Sequence, residues 1–269
     1  MIWFPFAKIN LGLSVLNKRN DGFHNIESLL HPIALYDILE IVKSKKDEFT
    51  LSGFSINTLP ENNLVLKTVN ILREYISFSP IKIHLHKQIP IESGLGGGSS
   101  DATHTLLGIC QLFNLKINDD KLIEISGRLG SDCPFFLKSK TQYVKGRGEI
   151  LEDFELNIIP FKLLLVIPDF SISTKTAFDR NTPKEPEYLP YQALNMPIEY
   201  WKSILKNDFE EIVFADFPIL GEIKKKLYQQ GAVYASLSGS GSSIYGLFSK
   251  QIEINLPQNF KYHWLDFSN

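Results

Sequence analysis

The chain has 269 residues, of which 43% are hydrophobic and 22% charged, and its formal net charge is −2. This composition excludes a disordered or collagen-like chain, and the charge gives no global basic field that would attract nucleic acid or an anionic membrane. The two cysteines, Cys110 and Cys133, have no C-x-x-C spacing and no apolar stretch nears the ~18 residues that span a bilayer, so we expect a cytoplasmic protein.

The first half of the chain combines strand and helix patterns. Residues 6–15 alternate, which predicts a strand with one buried face and with Lys8 and Asn10 on the other, polar face. Residues 37–42 are predicted to form a second strand, and residues 63–76 an amphipathic helix. The predicted secondary structure is therefore mixed from the start of the chain.

A strand, a glycine-rich loop and a helix then follow one another. Residues 81–87 alternate strictly, which predicts a strand, and the apolar spacing after the loop predicts a helix that reaches Phe113. A second amphipathic helix is predicted at 120–129, and we expect Gly130 to end it as a left-handed cap. The glycines thus lie at the entrance of a helix.

The second half is separated from the first by a predicted boundary within residues 153–160, which gives domains 1–152 and 153–269. The elements predicted beyond it are a buried strand at 161–167, an exposed loop at 181–190, helices at 201–214 and 219–230 with Gly231 ending the latter, and a glycine and serine turn at 236–243 that leads into apolar residues 244–248. Such a turn could also be a linker, but its apolar flanks favour a packed turn.

The run from Gly94 to Asp101 carries the strongest chemical signal. Four glycines in five positions leave backbone N–H groups bare, and Ser99, Ser100 and Asp101 are predicted to lie in the first turn of the helix, where the dipole favours phosphate. A capped strand-to-helix turn is the alternative, but capping does not require so many glycines. The sequence has no Walker A lysine, no dinucleotide-binding context and no protein-kinase motifs. The loop therefore belongs to another phosphate-binding design.

Residues 90–102 resemble the central motif of the GHMP kinases, the family of galacto-, homoserine, mevalonate and phosphomevalonate kinases. Residues 5–11 resemble the N-terminal motif of that family, and residues 237–243 its C-terminal motif. The resemblance implies an α+β, two-domain GHMP kinase fold, with an N-terminal half like ribosomal protein S5 domain 2 and a ferredoxin-like C-terminal half. It also implies an active site in the cleft between the halves.

Further stretches resemble one branch of the family, whose members phosphorylate a cytidine diphosphate derivative in the non-mevalonate route to isoprenoids. They lie at residues 8–13 continuing to 21–24, at 129–136, at 146–149 and at 180–184. The resemblance implies ATP as co-substrate and Mg²⁺ as cofactor. Alternatives are a GHMP kinase of the homoserine or mevalonate type, and a non-catalytic nucleotide or metabolite sensor on the same fold.

Lys8 and Asp132 are, by this resemblance, the catalytic pair. Asp132 precedes Pro134 on a constrained loop, from which a carboxylate could take the proton of an attacking hydroxyl. A nearby ammonium would keep that carboxylate ionised. Read alone, Asp132 fits a turn or capping residue, and Lys8 fits a solvated strand face.

The resemblance also implies the binding residues. Substrate contacts are expected from Asn10, Phe23, His24 and Asp132, with Phe23 and His24 holding the cytosine; the family usually has tyrosine where this chain has Phe23. A hydrophobic plug beside a hydrogen-bonded histidine is the alternative. Contacts with ATP are expected from Asn63, Lys87, Gly94, Leu95, Gly96, Gly97, Gly98, Ser99, Ser100 and Asp101.

Several of these assignments leave a second interpretation open. Asn63 fits a helix cap as well as an adenine contact, and Ser99 is a tentative magnesium ligand. His84 and His86 fit a solvated strand face better than a metal site, and Lys87, just before the loop, is a better candidate for a phosphate contact. Cys133 lacks an activating histidine. We expect a monomer or homodimer with a small-molecule substrate and without nucleic-acid or membrane partners.

Overall fold

The computed structural model describes residues 1–55, 62–156, 161–257 and 260–267. The chain forms two compact units, each assembled from several segments. The first contains Met1–Ala7, Leu35–Ile91 and Gly96–Ser139, and the second contains Lys8–Ala34, Glu92–Leu95 and Lys140–Asn269. Because each compact unit combines segments that are separate in sequence, the division into domains 1–152 and 153–269 stays a prediction. Part of its boundary segment, residues 157–160, lies outside the described residues.

Helices and strands alternate along the chain, which confirms the mixed α and β class. In chain order the described elements are β1 (Ile2–Trp3), β2 (Phe6–Lys18), β3 (His24–Tyr36), β4 (Ile38–Lys43), β5 (Glu48–Gly53), α1 (Leu64–Tyr75), β6 (Ile81–Lys87), α2 (Gly97–Leu112), α3 (Asp119–Leu129), a 3₁₀ helix (Cys133–Leu137), β7 (Gln142–Lys145), β8 (Ile150–Asp153), β9 (Lys162–Ile167), α4 (Thr174–Arg180), α5 (Pro190–Leu194), α6 (Ile198–Ile204), α7 (Glu210–Asp216), α8 (Pro218–Gln229), β10 (Tyr234–Leu237), β11 (Ile244–Phe248) and β12 (Lys261–Asp266).

The first unit is built on a four-stranded sheet in the order β1-β4-β6-β5. β6 pairs antiparallel with β4 and parallel with β5. The strand predicted at 81–87 is confirmed, with Ile81, Ile83 and Leu85 buried as its alternation requires. Their side chains join one apolar cluster with residues of α1 and α2. This cluster places the entrance of α2 close to the end of β6.

The second unit contains two four-stranded sheets, in the orders β2-β3-β7-β8 and β10-β11-β9-β12. The buried strand predicted at 161–167 is confirmed as β9, which pairs antiparallel with both β11 and β12. Helix α8 packs its buried face, which includes Ile223 and Leu227, into the same apolar cluster as β9. Within the described ranges no helix combines the length and apolarity needed to cross a membrane.

The prediction that residues 6–15 bury only one face is wrong. Lys8 and Asn10 are as inaccessible as the apolar residues between them, each at 4% exposure. The reason lies in the second unit, where the turn after β10 covers the polar side of β2: Ser238 Oγ lies 3.4 Å from Asn10 N. Both faces of this strand are therefore buried, including the face that carries Lys8 and Asn10.

The single helix predicted at 201–214 is interrupted between α6 and α7. The backbone there pairs with β2 instead: Leu13 N donates to Lys206 O at 2.9 Å, and Asp208 N donates to Leu13 O at 2.9 Å. The Asp208 carboxylate accepts a third bond, from Val15 N at 2.8 Å. These bonds to a strand exclude helical bonds for the same groups, so tertiary pairing overrides the apolar period.

The two predicted glycine caps have different outcomes. Gly231 adopts φ of +98° after α8, the left-handed conformation that ends a helix, as predicted. Gly130 has φ of 171°, which is extended backbone, so its prediction as a left-handed cap is wrong. α3 nevertheless ends at Leu129, and the extended backbone of Gly130 follows it.

A buried histidine makes the stability of the second unit dependent on pH. His31 is 1% exposed, its ring lies 4.0 Å from that of Phe267, and its Nδ1 is 2.7 Å from Thr141 Oγ1. Burial lowers the pKa of His31 from 6.5 to about 3. Because only the unfolded chain takes up this proton between those values, the contribution of His31 is complete above the unfolded pKa and is lost as pH falls.

We expect acidification below about pH 6 to destabilise the wild type by about 1 kcal/mol per pH unit more than a His31→Gln variant. The measurement is urea unfolding of both proteins at several pH values. The difference between the two proteins isolates His31, because the other titrating groups are shared. Parallel pH profiles would contradict the expected role of the neutral imidazole.

Candidate active site

Lys8 is held in a fixed position inside the second unit. Its ammonium donates to Asn10 Oδ1 at 2.5 Å and to Gly94 O at 2.9 Å, and Asn10 Nδ2 donates to Ser28 Oγ at 2.9 Å. The solvated-face interpretation of Lys8 is therefore wrong. A buried ammonium with fixed polar partners is a preorganised positive charge, of the kind that stabilises negative charge in a reaction.

The glycine and serine turn at 236–243 packs against the start of the glycine-rich loop, which confirms the prediction of a packed turn. Ser238 Oγ donates to Gly94 O at 2.9 Å, and Ser243 N donates to Ser93 O at 3.0 Å. A Cβ on Gly239 would lie 3.3 Å from both Lys8 Nζ and Asn10 Oδ1. In the second unit, the N-terminal motif, the loop start and the C-terminal motif thus meet around the Lys8 ammonium.

In the first unit the rest of the loop forms the N-terminus of α2. The helix begins at Gly97, after Gly96 in the left-handed conformation with φ of 71°, and no side chain caps it by a hydrogen bond. Ser100 N donates to Gly96 O at 2.9 Å, so the N–H groups of residues 97–99 precede this helical bond. The alternative of a side-chain-capped turn is therefore wrong. An uncapped helix N-terminus with exposed Gly98 is a suitable site for an anion.

The helix starts two residues earlier than the sequence predicted. Ser99 and Ser100 lie in its first turn as expected, but Asp101 is the fifth helical residue and lies beyond it. Ser100 and Asp101 are buried, whereas Ser99 is partly exposed. Leu95 is fully buried as well, and its carbonyl accepts a bond from Lys8 N at 2.9 Å. The ATP contacts expected of these residues stay predictions.

Lys87, at the end of β6, lies beneath the first turn of α2 rather than on the surface. Its ammonium pairs with Asp37 and lies 2.7 Å from Asp101 Oδ2. Burial opposes the charge, but Asp101 and Asp37 outweigh it and raise the pKa of Lys87. Burial and the neighbouring Asp37 carboxylate raise the pKa of Asp101, although Lys87 acts in the opposite direction. The phosphate contact predicted for Lys87 stays a prediction.

Asp132 lies on the short connection between α3 and the 3₁₀ helix Cys133–Leu137. Its side chain is partly exposed and makes no capping hydrogen bond to the 3₁₀ helix, so the capping interpretation is not borne out. The following residue is fixed: Thr103 Oγ1 donates to Cys133 O at 2.8 Å, and burial raises the pKa of the Cys133 thiol to about 12. Cys133 is therefore not a nucleophile at neutral pH. Lys8 and Asp132 belong to different units, and their pairing stays a prediction.

Asn63 is the N-cap of α1, as one of its two interpretations predicted. Its Oδ1 accepts from Val65 N at 2.9 Å and from Leu66 N at 3.4 Å. The cap uses the acceptor of the amide, whereas the donors on Nδ2 are the atoms that a nucleobase acceptor requires. The adenine contact stays a prediction that is compatible with this geometry.

His24 begins β3 in the second unit, and Phe23 directly precedes it. Each lies beside a residue to which the sequence alone assigned no role. The Arg147 guanidinium lies 4.8 Å from the centre of the half-exposed Phe23 ring. The His24 ring stacks on that of Phe178 with centres 5.4 Å apart and planes at 23°. A half-exposed ring is not a hydrophobic plug, so Phe23 is available to stack on a planar ligand.

Other residues noted in the sequence have structural partners. In the segment 180–184, Lys184 N donates to Val15 O at 3.3 Å, and Arg180 forms an ion pair with Asp216. His84 Nδ1 is 2.8 Å from Thr50 Oγ1, and His86 Nδ1 is 2.8 Å from Ser52 Oγ. Among the residues that the structure describes, no three His, Cys, Asp or Glu side chains form a group that could hold a metal ion.

Comparison with known families identifies the class of protein. Residues 63–140 match the model of the GHMP kinases N terminal domain, and residues 194–261 match that of the GHMP kinases C terminal domain. The chain belongs to the GHMP kinase family.

Individual relatives in that family share one name. A protein of Bacteroides thetaiotaomicron named 4-diphosphocytidyl-2-C-methyl-D-erythritol kinase is 46% identical over 255 residues, which are 93% of each chain. A protein of the same name from Caldanaerobacter subterraneus subsp. tengcongensis is 38% identical over 256 residues, covering 91% of this chain and 86% of the relative.

Solved structures agree with this family assignment. A crystal structure of 4-(cytidine 5'-diphospho)-2C-methyl-D-erythritol kinase has a TM-score of 0.77 at 29% identity and covers 92% of this chain and 90% of the other. Methanococcus jannaschii mevalonate kinase has a TM-score of 0.66 at 15% identity, covering 100% of this chain and 98% of the other, and it shares the fold.

Proposed function

We propose that this chain transfers the γ-phosphoryl group of ATP to the 2-hydroxyl of 4-diphosphocytidyl-2-C-methyl-D-erythritol, giving ADP and the 2-phosphate. The reaction belongs to isoprenoid precursor biosynthesis by the non-mevalonate pathway. Relatives of that name, at 38% to 46% identity over most of the chain, support this acceptor. We propose a cytoplasmic enzyme that acts as a monomer or homodimer.

The observation that carries the proposal is the fixed ammonium of Lys8, which is bonded to Asn10 and to the loop carbonyl of Gly94. A binding protein needs bare backbone N–H groups to hold phosphate, but it does not need a buried lysine whose ammonium is fixed by hydrogen bonds. Burial of a charge costs free energy, and the fixed partners keep it in one place. Such a charge is suited to stabilising the negative charge of phosphoryl transfer.

We assign complementary roles to the two catalytic candidates. Asp132 takes the proton of the attacking 2-hydroxyl, and Lys8 stabilises the developing negative charge. The N–H groups of residues 97–99 and the helix dipole bind the phosphates of ATP. Positioning and charge neutralisation account for most of the catalysis in such transfers.

Magnesium fits the donors of this site as a phosphate-bound ion. Among the described residues no three His, Cys, Asp or Glu side chains form a group that could hold the ion, whereas Ser99 is partly exposed in the first turn of α2. Mg²⁺ commonly keeps several waters and takes few protein ligands when it binds substrate phosphates. We propose that Ser99 supplies one ligand and that the ion, when bound, neutralises the β- and γ-phosphates.

The test of the reaction is to incubate the purified protein with ATP, Mg²⁺ and the cytidine substrate, and to follow the phosphorus atoms by ³¹P NMR. We expect ADP and a new phosphomonoester on the 2-hydroxyl in equal amounts. Formation of ADP with free phosphate, or of a monoester on another hydroxyl, would reject the proposed chemistry. No consumption of ATP would favour the sensor alternative.

The half-exposed Phe23 should contribute to recognition of the cytosine. We expect Phe23→Ala to raise KM for the cytidine substrate about 10-fold, because stacking of an aromatic ring on a base contributes about 1–3 kcal/mol. KM for ATP should stay within about twofold of the wild-type value, since the proposed phosphate contacts of ATP do not include Phe23. Steady-state kinetics with each substrate varied in turn measures both constants.

The matched control for this variant is Tyr262→Ala, which removes a similarly exposed aromatic ring from β12 of the same unit. Its kinetic constants should equal those of the wild type. An unchanged KM for the cytidine substrate in Phe23→Ala would show that this ring does not stack on the base.

A further inference from the structure

A buried charge network of Lys87, Asp37 and Asp101 lies in the first unit and has no part in the chemistry proposed above. The Lys87 ammonium forms ion pairs with one carboxylate oxygen of each aspartate. All three residues are 3% exposed or less. Charges buried to this degree are strongly unfavourable unless they are paired.

The network ties together the two ends of the glycine-rich loop. Lys87 is the last residue of β6, before the loop, and Asp101 lies in α2, after it. Asp37 fastens the chain as it leaves β6, because its Oδ1 accepts from Gln88 N at 2.5 Å and from Ile89 N at 2.9 Å. The loop therefore begins and ends on one cluster of charges.

The first turn of α2 rests directly on this network. A Cβ on Gly97 would lie 3.1 Å from Lys87 Nζ and 2.8 Å from Ile89 Cγ2. Gly97 is buried, whereas Gly98 on the next position is exposed and open to a ligand. The distance of the helix N-terminus from the end of β6, and with it the direction of its N–H groups, thus depends on the side chain of Lys87.

We propose that Lys87 is a positioning residue, which acts through Asp37 and Asp101 to hold the first turn of α2 in the geometry that binds the phosphates of ATP. The proposal rests on the proposed ATP-dependent function. It differs from the direct phosphate contact predicted for Lys87, because two of the three ammonium donors are directed to carboxylates. The positioning role of Lys87 does not require the third donor of its ammonium.

The two roles of Lys87 predict different results for a double variant. Lys87→Met leaves two buried carboxyl groups without their shared ammonium, and Lys87→Met/Asp101→Asn then replaces one of them by an amide, which is always neutral and can donate a hydrogen bond to Asp37. If Lys87 acts through its partners, the second change gives Asp37 a donor again and prevents repulsion between the two groups. If Lys87 contacts phosphate directly, the second change restores nothing.

The experiment measures ADP binding by calorimetry, together with kcat and KM for ATP and for the cytidine substrate. We expect Lys87→Met to weaken ADP and to raise KM for ATP about 10-fold, as coupled contacting residues do, with KM for the cytidine substrate unchanged. The double variant should recover most of this loss. Lys82→Met, which removes an exposed lysine of the same strand, is the matched control and should behave as wild type.

Two results would overturn the proposal: a double variant that binds ADP as weakly as Lys87→Met, or equal losses for both substrates. If Lys87→Met does not fold, Asp101→Asn alone decides, because it is isosteric and leaves the Lys87–Asp37 pair. Weaker ADP binding with an unchanged KM for the cytidine substrate would support the proposal, and unchanged ADP binding would reject it. Calorimetry with ADP does not depend on the phosphate acceptor. It therefore distinguishes a failure of the positioning role from a failure of the proposed reaction.

Discussion

Replacing Asp132 by Asn should lower kcat at least ~100-fold while both substrates still bind, because the loss of a general base is of this size. Asparagine has nearly the shape of aspartate but cannot take a proton from the attacking hydroxyl. The side chain is partly exposed and does not cap the 3₁₀ helix, so its replacement should leave the fold intact. Steady-state turnover and calorimetry with ADP measure the two parts of this expectation.

Asp120→Asn provides the control for this variant. Asp120 is exposed in the first turn of α3, in the same unit as Asp132. A carboxylate at this position stabilises a helix by under about 1 kcal/mol through the helix dipole, so its loss should have little effect. Its turnover should match the wild type. Wild-type turnover in Asp132→Asn would show that this carboxylate is not the base, and loss of ADP binding would assign it a different role.

Introducing a single methyl group at Gly94 should destabilise the second unit by about 3 kcal/mol or more and remove turnover. A Cβ there would lie 1.9 Å from Ser238 O, and the residue has φ of +77°, which L side chains rarely adopt. The packed turn must then move away. Because Gly94 O accepts from both Lys8 Nζ and Ser238 Oγ, the shift also releases the Lys8 ammonium.

Thermal unfolding and turnover of Gly94→Ala measure this effect, with Gly127→Ala as the matched control. Gly127 lies within α3, and nothing lies within 4 Å of a Cβ built on it. Alanine there should stabilise the helix by about 0.5–1 kcal/mol and leave turnover unchanged. A Gly94→Ala protein with wild-type melting temperature and kcat would refute the packing that we describe around Lys8.

Local sequence patterns predicted those elements whose burial follows their own period. β6 and α1 lie where alternation and helical spacing placed them, because each has one apolar face that packs on a single core. β2 departed from this rule, since the turn at 236–243 buries its polar face as well. A residue more than 200 positions away along the chain leaves no trace in a local period.

The interrupted helix at 201–214 has a similar cause. Its apolar spacing is helical on both sides of the break, but the backbone at 206–208 bonds to β2. The start of α2 was predicted too late for another reason. Glycine has a low helix propensity, so the sequence predicted a loop at Gly97 and Gly98, which are helical in the structure. In both places the tertiary environment decided the conformation.

Contiguous motifs identified residues that the structure brings together, whereas contacts between distant residues left no signal in the sequence. Lys8 and Gly94 were identified from their motifs, and the structure brings them together. Phe178 carried no signal, since only the fold places its ring on His24. Arg147 lay within a recognised stretch, but its position over Phe23 requires a contact across 124 residues, from 23 to 147.

The identity of the phosphate acceptor can be tested by a competition experiment. One reaction mixture would contain limiting ATP with equal concentrations of 4-diphosphocytidyl-2-C-methyl-D-erythritol, mevalonate and homoserine, and mass spectrometry would identify the phosphorylated products. We predict that the phosphate appears on the cytidine compound alone. Phosphomevalonate or phosphohomoserine as the main product, with the cytidine compound left unchanged, would contradict the assignment.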